Sequence, residues 1–215
     1  MKIKKPLLVI IILLAAAPVI LTALVFKQLP AQIAMSWNIN NIPEYSDKST
    51  LWIFAIMQPV IAALLLITPK IDPRKQNYEK FKGSYIAFII ILQLFLLMMT
   101  AIVIYEAFFP NTISIAMFVL AAVGVLFMFL GNMLPKIKSN FYMGIRTPWT
   151  ISDSDVWFKT NRLAGFLMFI SGIIIFISAF VLNNIAAFIV TMLCVAISCL
   201  IPTVMSYLWY RNKNN

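Results

Sequence analysis

Histidine is absent from the 215 residues, which removes zincin motifs, histidine-based triads and most metal sites. No Walker-type phosphate loop and no Gly-x-Ser-x-Gly elbow occurs. The two cysteines, Cys194 and Cys199, are five residues apart, so a helix turns them to different faces. They read as small apolar packing residues. Side chains that can bond or pack specifically gather instead in Gly131–Gly165, GNMLPKIKSNFYMGIRTPWTISDSDVWFKTNRLAG. There stand Asn132, Asn140, Arg146, Thr147, Pro148, Trp149, Thr150, Trp157, Lys159 and Arg162. A looser group, Trp37, Asn38, Tyr45 and Lys48, lies in the polar segment Lys27–Thr50. Aromatics, amides and cations without a nucleophile–base pair suit recognition. No enzyme and no cofactor is expected.

The elements that must position these residues follow from composition. Apolar residues make up 62% of the chain and charged residues 11%, less than half the charge of a soluble domain. Mean hydropathy is +0.94. A helix needs about 20 residues to cross roughly 30 Å of hydrocarbon. Six runs qualify: Pro6–Phe26, Leu51–Thr68, Ser84–Tyr105, Thr112–Leu130, Leu163–Leu182 and Ile185–Leu208. Strand-type alternation is lacking, which argues against a β-barrel. The expected fold is all-α, one polytopic domain over 1–215 with six transmembrane helices, in a cell membrane. The first run has the positive flank of a signal peptide in Lys2, Lys4 and Lys5. It is longer than the usual apolar region of about 7–15 residues and lacks a small-residue cleavage site, so it reads as a retained helix.

Charge placement sets the orientation. With the N-terminus cytoplasmic, 15 of the 17 Lys and Arg lie inside and only Lys27 and Lys48 outside, as the positive-inside rule requires. Both termini are then cytoplasmic, 27–50 is extracellular and 131–165 is cytoplasmic. The net charge of +10 becomes a topology signal with some attraction to anionic lipid heads; direct nucleic-acid binding is not expected. No Asp, Glu, Lys or Arg falls within a span, which disfavours proton-coupled transport.

Local signals refine this. Pro18 should kink the first helix, a defect that neighbouring helices must repair. Lys27–Thr50 mixes apolar positions with turn formers, suiting a short hairpin on the outer surface. Gln58 and Gln93 could bond across helices, worth about 1 kcal/mol or less. The basic loop Ile71–Gly83 reads as a solvated positive-inside loop. Pro135 ends or bends the fourth helix. Thr147 should be extended before Pro148, and Ser152 and Asp155 stand at capping-box spacing for a helix running through Trp157 and Arg162. Gly172, with Ser171 and Ser178, permits close helix packing. For Arg146 two roles stand open: a fork fixing the loop through backbone carbonyls or lipid phosphate, or direct contact with a partner.

The string Gly144-Ile145-Arg146-Thr147-Pro148-Trp149-Thr150, with Gly131-Asn132, Asn140, Trp157, Lys159-Thr160, Arg162 and Gly165, resembles the SdpI family of bacterial membrane immunity proteins. Leu29-Pro30, Ile33, Trp37-Asn38, Pro43, Tyr45 and Lys48 resemble, more loosely, the small uncharacterised domain that often precedes it. The chain departs from that pattern where Ser36 and Asn161 replace common histidines and Asn41 replaces a common glycine. No role of those histidines carries over. The resemblance implies protection against an antimicrobial peptide toxin, and Trp37, Asn38, Tyr45 and Lys48 of the outside segment are the candidate residues for capturing it. It also implies signalling in which the cytoplasmic segment holds a small transcriptional repressor at the membrane. The competing expectation is a transporter or exporter of a peptide or small molecule.

Overall fold

A computed structural model describes residues 3–38 and 40–214. Six long helices cover the six apolar runs: α1 (Lys5–Val25), α2 (Leu51–Ile71), α3 (Lys82–Phe108), α4 (Ile115–Met133), α6 (Ser154–Val181) and α7 (Asn184–Asn214). Each is long and apolar enough to cross a membrane. A short helix, α5 (Pro148–Ser152), precedes α6, and strands β1 (Gln32–Trp37) and β2 (Pro43–Asp47) separate α1 from α2. α3 and α7 extend beyond their apolar runs at both ends, and α6 at its start. α3 continues through Glu106, placed in a turn by sequence. That side chain is buried, and its Oε1 accepts the Asn111 amide at 2.8 Å.

The chain forms two compact units, Thr68–Ile86 with Leu120–Asn215 and Lys2–Ile67 with Ala87–Val119. In the unit containing α1, the expected proline defect and its repair are both visible. Pro18 lies inside α1 and has no N–H to offer the Leu14 carbonyl. Gln58 supplies the missing donor: its Nε2 lies 3.0 Å from Leu14 O and 3.0 Å from Gln93 O. The anticipated Gln58–Gln93 link therefore runs from side chain to backbone. In the same unit β1 and β2 pair antiparallel, with an irregularity between Ala34 and Ser36. Leu29, Ile33, Leu51 and Val103 form a small core there, with Trp37 packed against it.

In the other unit α4 and α6 approach through glycines on each. A Cβ at Gly131 would sit 2.7 Å from the Gly165 carbonyl, and one at Gly124 2.9 Å from the Gly172 carbonyl. The pairing 131–165 and 124–172 runs antiparallel at heptad spacing, so both contacts repeat on one face of each helix. Sequence reading picked out Gly172 but not its partners. α6 and α7 are then joined through buried serines, Ser171 Oγ and Ser198 Oγ lying 2.9 Å apart.

Candidate functional site

The polar stretch that follows α4 folds around one side chain. Asn140 is 0% exposed. Its Oδ1 accepts the amides of Tyr142 (2.8 Å) and Met143 (2.7 Å), and its Nδ2 donates to the carbonyls of Lys138 (2.9 Å) and Met143 (3.2 Å). Both ends of the amide are used, so the turn 138–143 is wound on Asn140. Arg146, exposed, donates to the Phe141 carbonyl. This single bond to a backbone carbonyl ties Arg146 to the turn.

Gly144 follows with φ of 97°, a region that L side chains rarely adopt. Space also demands glycine, because a Cβ there would lie 2.5 Å from Asn161 Oδ1. Asn161 is the residue that sequence reasoning missed. It is buried on α6, accepts the Ile145 amide at 2.9 Å and donates to Trp157 O at 3.0 Å. The signal was a polar residue one helical turn after Trp157, on the face that must be buried.

Thr147 is extended as expected, with φ −104° and ψ 162°, and caps α5. Its side chain and that of Thr150 form the capping box, with Pro148 in the first turn. The box expected at Ser152 and Asp155 does not form. Asp153 caps α6 instead, accepting the amides of Asp155 (2.8 Å) and Val156 (3.1 Å), because α5 has already taken Ser152 into its last turn. The Lys213 ammonium hydrogen-bonds Asp153 at 2.7 Å. This contact, then the Val156 amide, holds the Asp153 carboxyl below its ordinary range.

Three further contacts fix the segment to helices. Thr147 Oγ1 lies 3.0 Å from Ser206 Oγ of α7, and Trp149 packs on Tyr207 with ring centroids 5.0 Å apart. Trp157, buried, donates through Nε1 to the Ile137 carbonyl at 3.0 Å. Asn132, Lys159 and Arg162 do not join this network. Asn132 is exposed and accepts from Lys136 at 3.3 Å, while Lys159 and Arg162 face outward from α6.

The loop after α2 corrects the sequence reading most sharply. Ile71–Gly83 is no freely solvated loop: Asp72 and Tyr78 are buried. Asp72 accepts the Arg74 amide (2.7 Å), the Tyr78 hydroxyl (2.9 Å) and the Phe141 amide (2.9 Å). Arg74 donates to Ser139 Oγ and to Ile151 O at 2.8 Å, with its guanidinium 5.1 Å from the Phe141 ring centroid. Asn77 Nδ2 donates to Ser139 O at 2.7 Å. A buried carboxylate with three donors is satisfied and orders what it touches. The segment 139–151 is therefore gripped from a distant loop, which local spacing could not reveal.

The second group sits on the hairpin. Tyr45 and Ile42 are each 56% exposed, Asn38 is exposed and Trp37 half-buried. Asn38 Oδ1 accepts the amides of Asn40 and Ile42, both at 3.0 Å, and shapes the turn. Lys48 is engaged in the fold: its ammonium donates to Phe26 O (3.2 Å) and Leu29 O (3.0 Å), which caps the end of α1. Asn41 adopts φ of 62° and its Oδ1 accepts the Ala116 amide at 3.0 Å, capping α4. A glycine at 41 would satisfy the dihedral but not the cap. Among the described residues no three His, Cys, Asp or Glu side chains gather as a metal site.

Comparison with known proteins places this geometry. Residues 136–206 match the model of the SdpI/YfhL protein family. That range takes in the Asn140 turn, the Thr147 capping box, Trp157 and the two helices that hold them. Immunity protein SdpI of Bacillus subtilis (strain 168) is 25% identical over 207 residues, 96% of this chain and 97% of the relative. No solved structure matches the chain. The resemblance read from the sequence is thus borne out: this is a multi-pass protein of the cell membrane that matches the SdpI/YfhL family model over residues 136–206 and is similar along nearly its whole length to an SdpI immunity protein.

Proposed function

We propose that this chain is an immunity protein that protects the bacterium making it against a membrane-active peptide toxin. The observation that carries the reading is its similarity to an immunity protein over 96% of its length, hairpin included. With the N-terminus inside, as the Lys and Arg distribution requires, the hairpin faces the medium. Tyr45, Ile42, Asn38 and Trp37 there offer a mixed apolar and amide surface to an amphipathic peptide. Lys48 contributes by holding the hairpin against the end of α1. On the inside, residues 138–151 form a tightly bonded platform whose exposed parts are Lys138, Phe141, Tyr142, Arg146 and Pro148. That platform is the surface for a small transcriptional repressor. For toxin binding to change its capture, the toxin must bind two arrangements of the helices with different affinity.

Expression of the chain in a toxin-sensitive strain, challenged with membrane-active peptide toxins, tests the reading. Selective survival over empty vector is expected, with Tyr45→Ala and Trp149→Ala losing protection at normal membrane levels. No survival at verified expression would overturn the immunity reading. Full protection in both variants would remove the hairpin and the platform from it. Recovery of a repressor with the membrane fraction, lost in Arg146→Ala, tests the inside partner separately.

A further inference from the structure

We propose that Lys159 and Arg162 form a binding site for the phosphate of an anionic phospholipid, in the leaflet that α6 enters from its N-terminal end. The argument starts from helix phase. The buried positions of α6 include Trp157, Thr160, Asn161, Ala164, Ser171 and Ile175, on the 3.6-residue stripe that faces the bundle. The exposed positions on the opposite stripe include Asp155, Lys159, Arg162, Phe166, Ile170 and Ile174, with Phe158 at its edge. Lys159 and Arg162 thus share one face with a row of bare aliphatic and aromatic side chains, whose only neighbour in a membrane is lipid. They point away from the Asn140 platform, with which they are grouped by sequence alone.

Length gives their depth. α6 has 28 residues, so it runs about 42 Å at 1.5 Å per residue, against roughly 30 Å of hydrocarbon. Its far end runs directly into the Asn183 turn to α7, so the excess of about two turns lies at the start. This puts Lys159 and Arg162 at the headgroup boundary and Phe166 below it.

Charge then selects the partner. The two acidic groups at this helix end, Asp153 and Asp155, are both bonded to Lys213, at 2.7 and 2.9 Å. Neither Lys159 nor Arg162 is bonded to them. A lysine and an arginine three apart on one exposed helix face can converge on one phosphate, the arginine as a fork and the lysine as a point charge. Phe158, 49% exposed beside them, adds an apolar ring that can lie against the acyl chains below the phosphate.

The test uses the full chain in detergent, with lipid retention measured by native mass spectrometry for phosphatidylglycerol against phosphatidylcholine. The wild type is expected to retain phosphatidylglycerol preferentially. In Lys159→Gln/Arg162→Gln that preference should fall about fivefold per charge removed, with unchanged melting in phosphatidylcholine. The control pair Lys75→Gln/Lys80→Gln, on exposed lysines of the 72–81 loop, should keep most of it. An equal fall in the control overturns the site, since net charge would then explain everything. So does a wild type without preference. A double variant that keeps its lipid preference but fails to protect cells also overturns it, because the pair would then face an acidic protein. Loss of lipid preference with full protection supports the lipid site and leaves the immunity reading untouched.

Discussion

Replacing Gln58 by leucine should destabilise the bundle only as far as Pro18 makes it matter. Gln58 donates two bonds of 3.0 Å, to Leu14 O and Gln93 O. Interhelical bonds in membranes average about 0.6 kcal/mol, with a maximum near 1.7. Gln58→Leu should therefore cost about 1.2 kcal/mol, and leucine keeps the volume. In Pro18→Ala the new amide at position 18 bonds Leu14 O within α1, and Gln58 keeps only its bond to Gln93 O. There Gln58→Leu should cost about 0.6 kcal/mol. The coupling of about 0.6 kcal/mol exceeds the 0.3–0.5 kcal/mol within which independent sites add. Equilibrium unfolding in bicelles of the four proteins of the cycle measures it. One term opposes the loss, since Gln58 Oε1 is buried without a partner and leucine removes that cost. It enters both backgrounds equally and cancels in the coupling. Equal costs in the two backgrounds would refute the claim that Gln58 repairs the proline defect.

Gly165→Ala puts a Cβ 2.6 Å from the Gly131 carbonyl; the α4–α6 contact should open, with a stability loss of about 1–3 kcal/mol by the same unfolding assay. Gly83→Ala, which meets nothing within 4 Å, should be tolerated. Asp72→Ala leaves three donors without their acceptor, about 1–3 kcal/mol for each buried one. A cysteine placed at Ser139 should then alkylate at least tenfold faster than in the parent. The Asp153 carboxyl is held below its ordinary value of 3.8. A lowered folded value means that its contribution is fully present above the unfolded pKa and disappears as pH falls through the folded one. Proteolysis of the α7 C-terminal end should stay constant from pH 7 to about 4 and rise below that, whereas Asp153→Asn, which leaves Lys213 bonded to Asp155 alone, should cleave faster at neutral pH.

Residue order along one helix or turn was enough to read much of this protein. Six apolar runs of spanning length became six helices because a helix satisfies its own backbone in lipid. The extended Thr147 before Pro148 and the Lys27–Thr50 hairpin were legible because their dihedral limits are local. Opposite faces for Cys194 and Cys199, one buried and one exposed, followed from the helical period. The string Gly144–Thr150, long and specific, lies within residues 136–206, which match the SdpI/YfhL family model.

Tertiary structure decided what pairs with what. No spacing rule links Asp72 to Phe141, 69 residues away, or Gln58 to the carbonyl that Pro18 leaves open, 44 away. Asn161 gained its role only when α6 brought it beneath Gly144. Lys159 and Arg162 look like members of the same motif as Trp157, yet the helix turns them to the opposite face. Local dihedral and hydropathy limits act within a few residues of sequence. Hydrogen-bond satisfaction and close packing act on whatever the fold brings together, and for that reason the partners of the buried polar groups were written only in three dimensions.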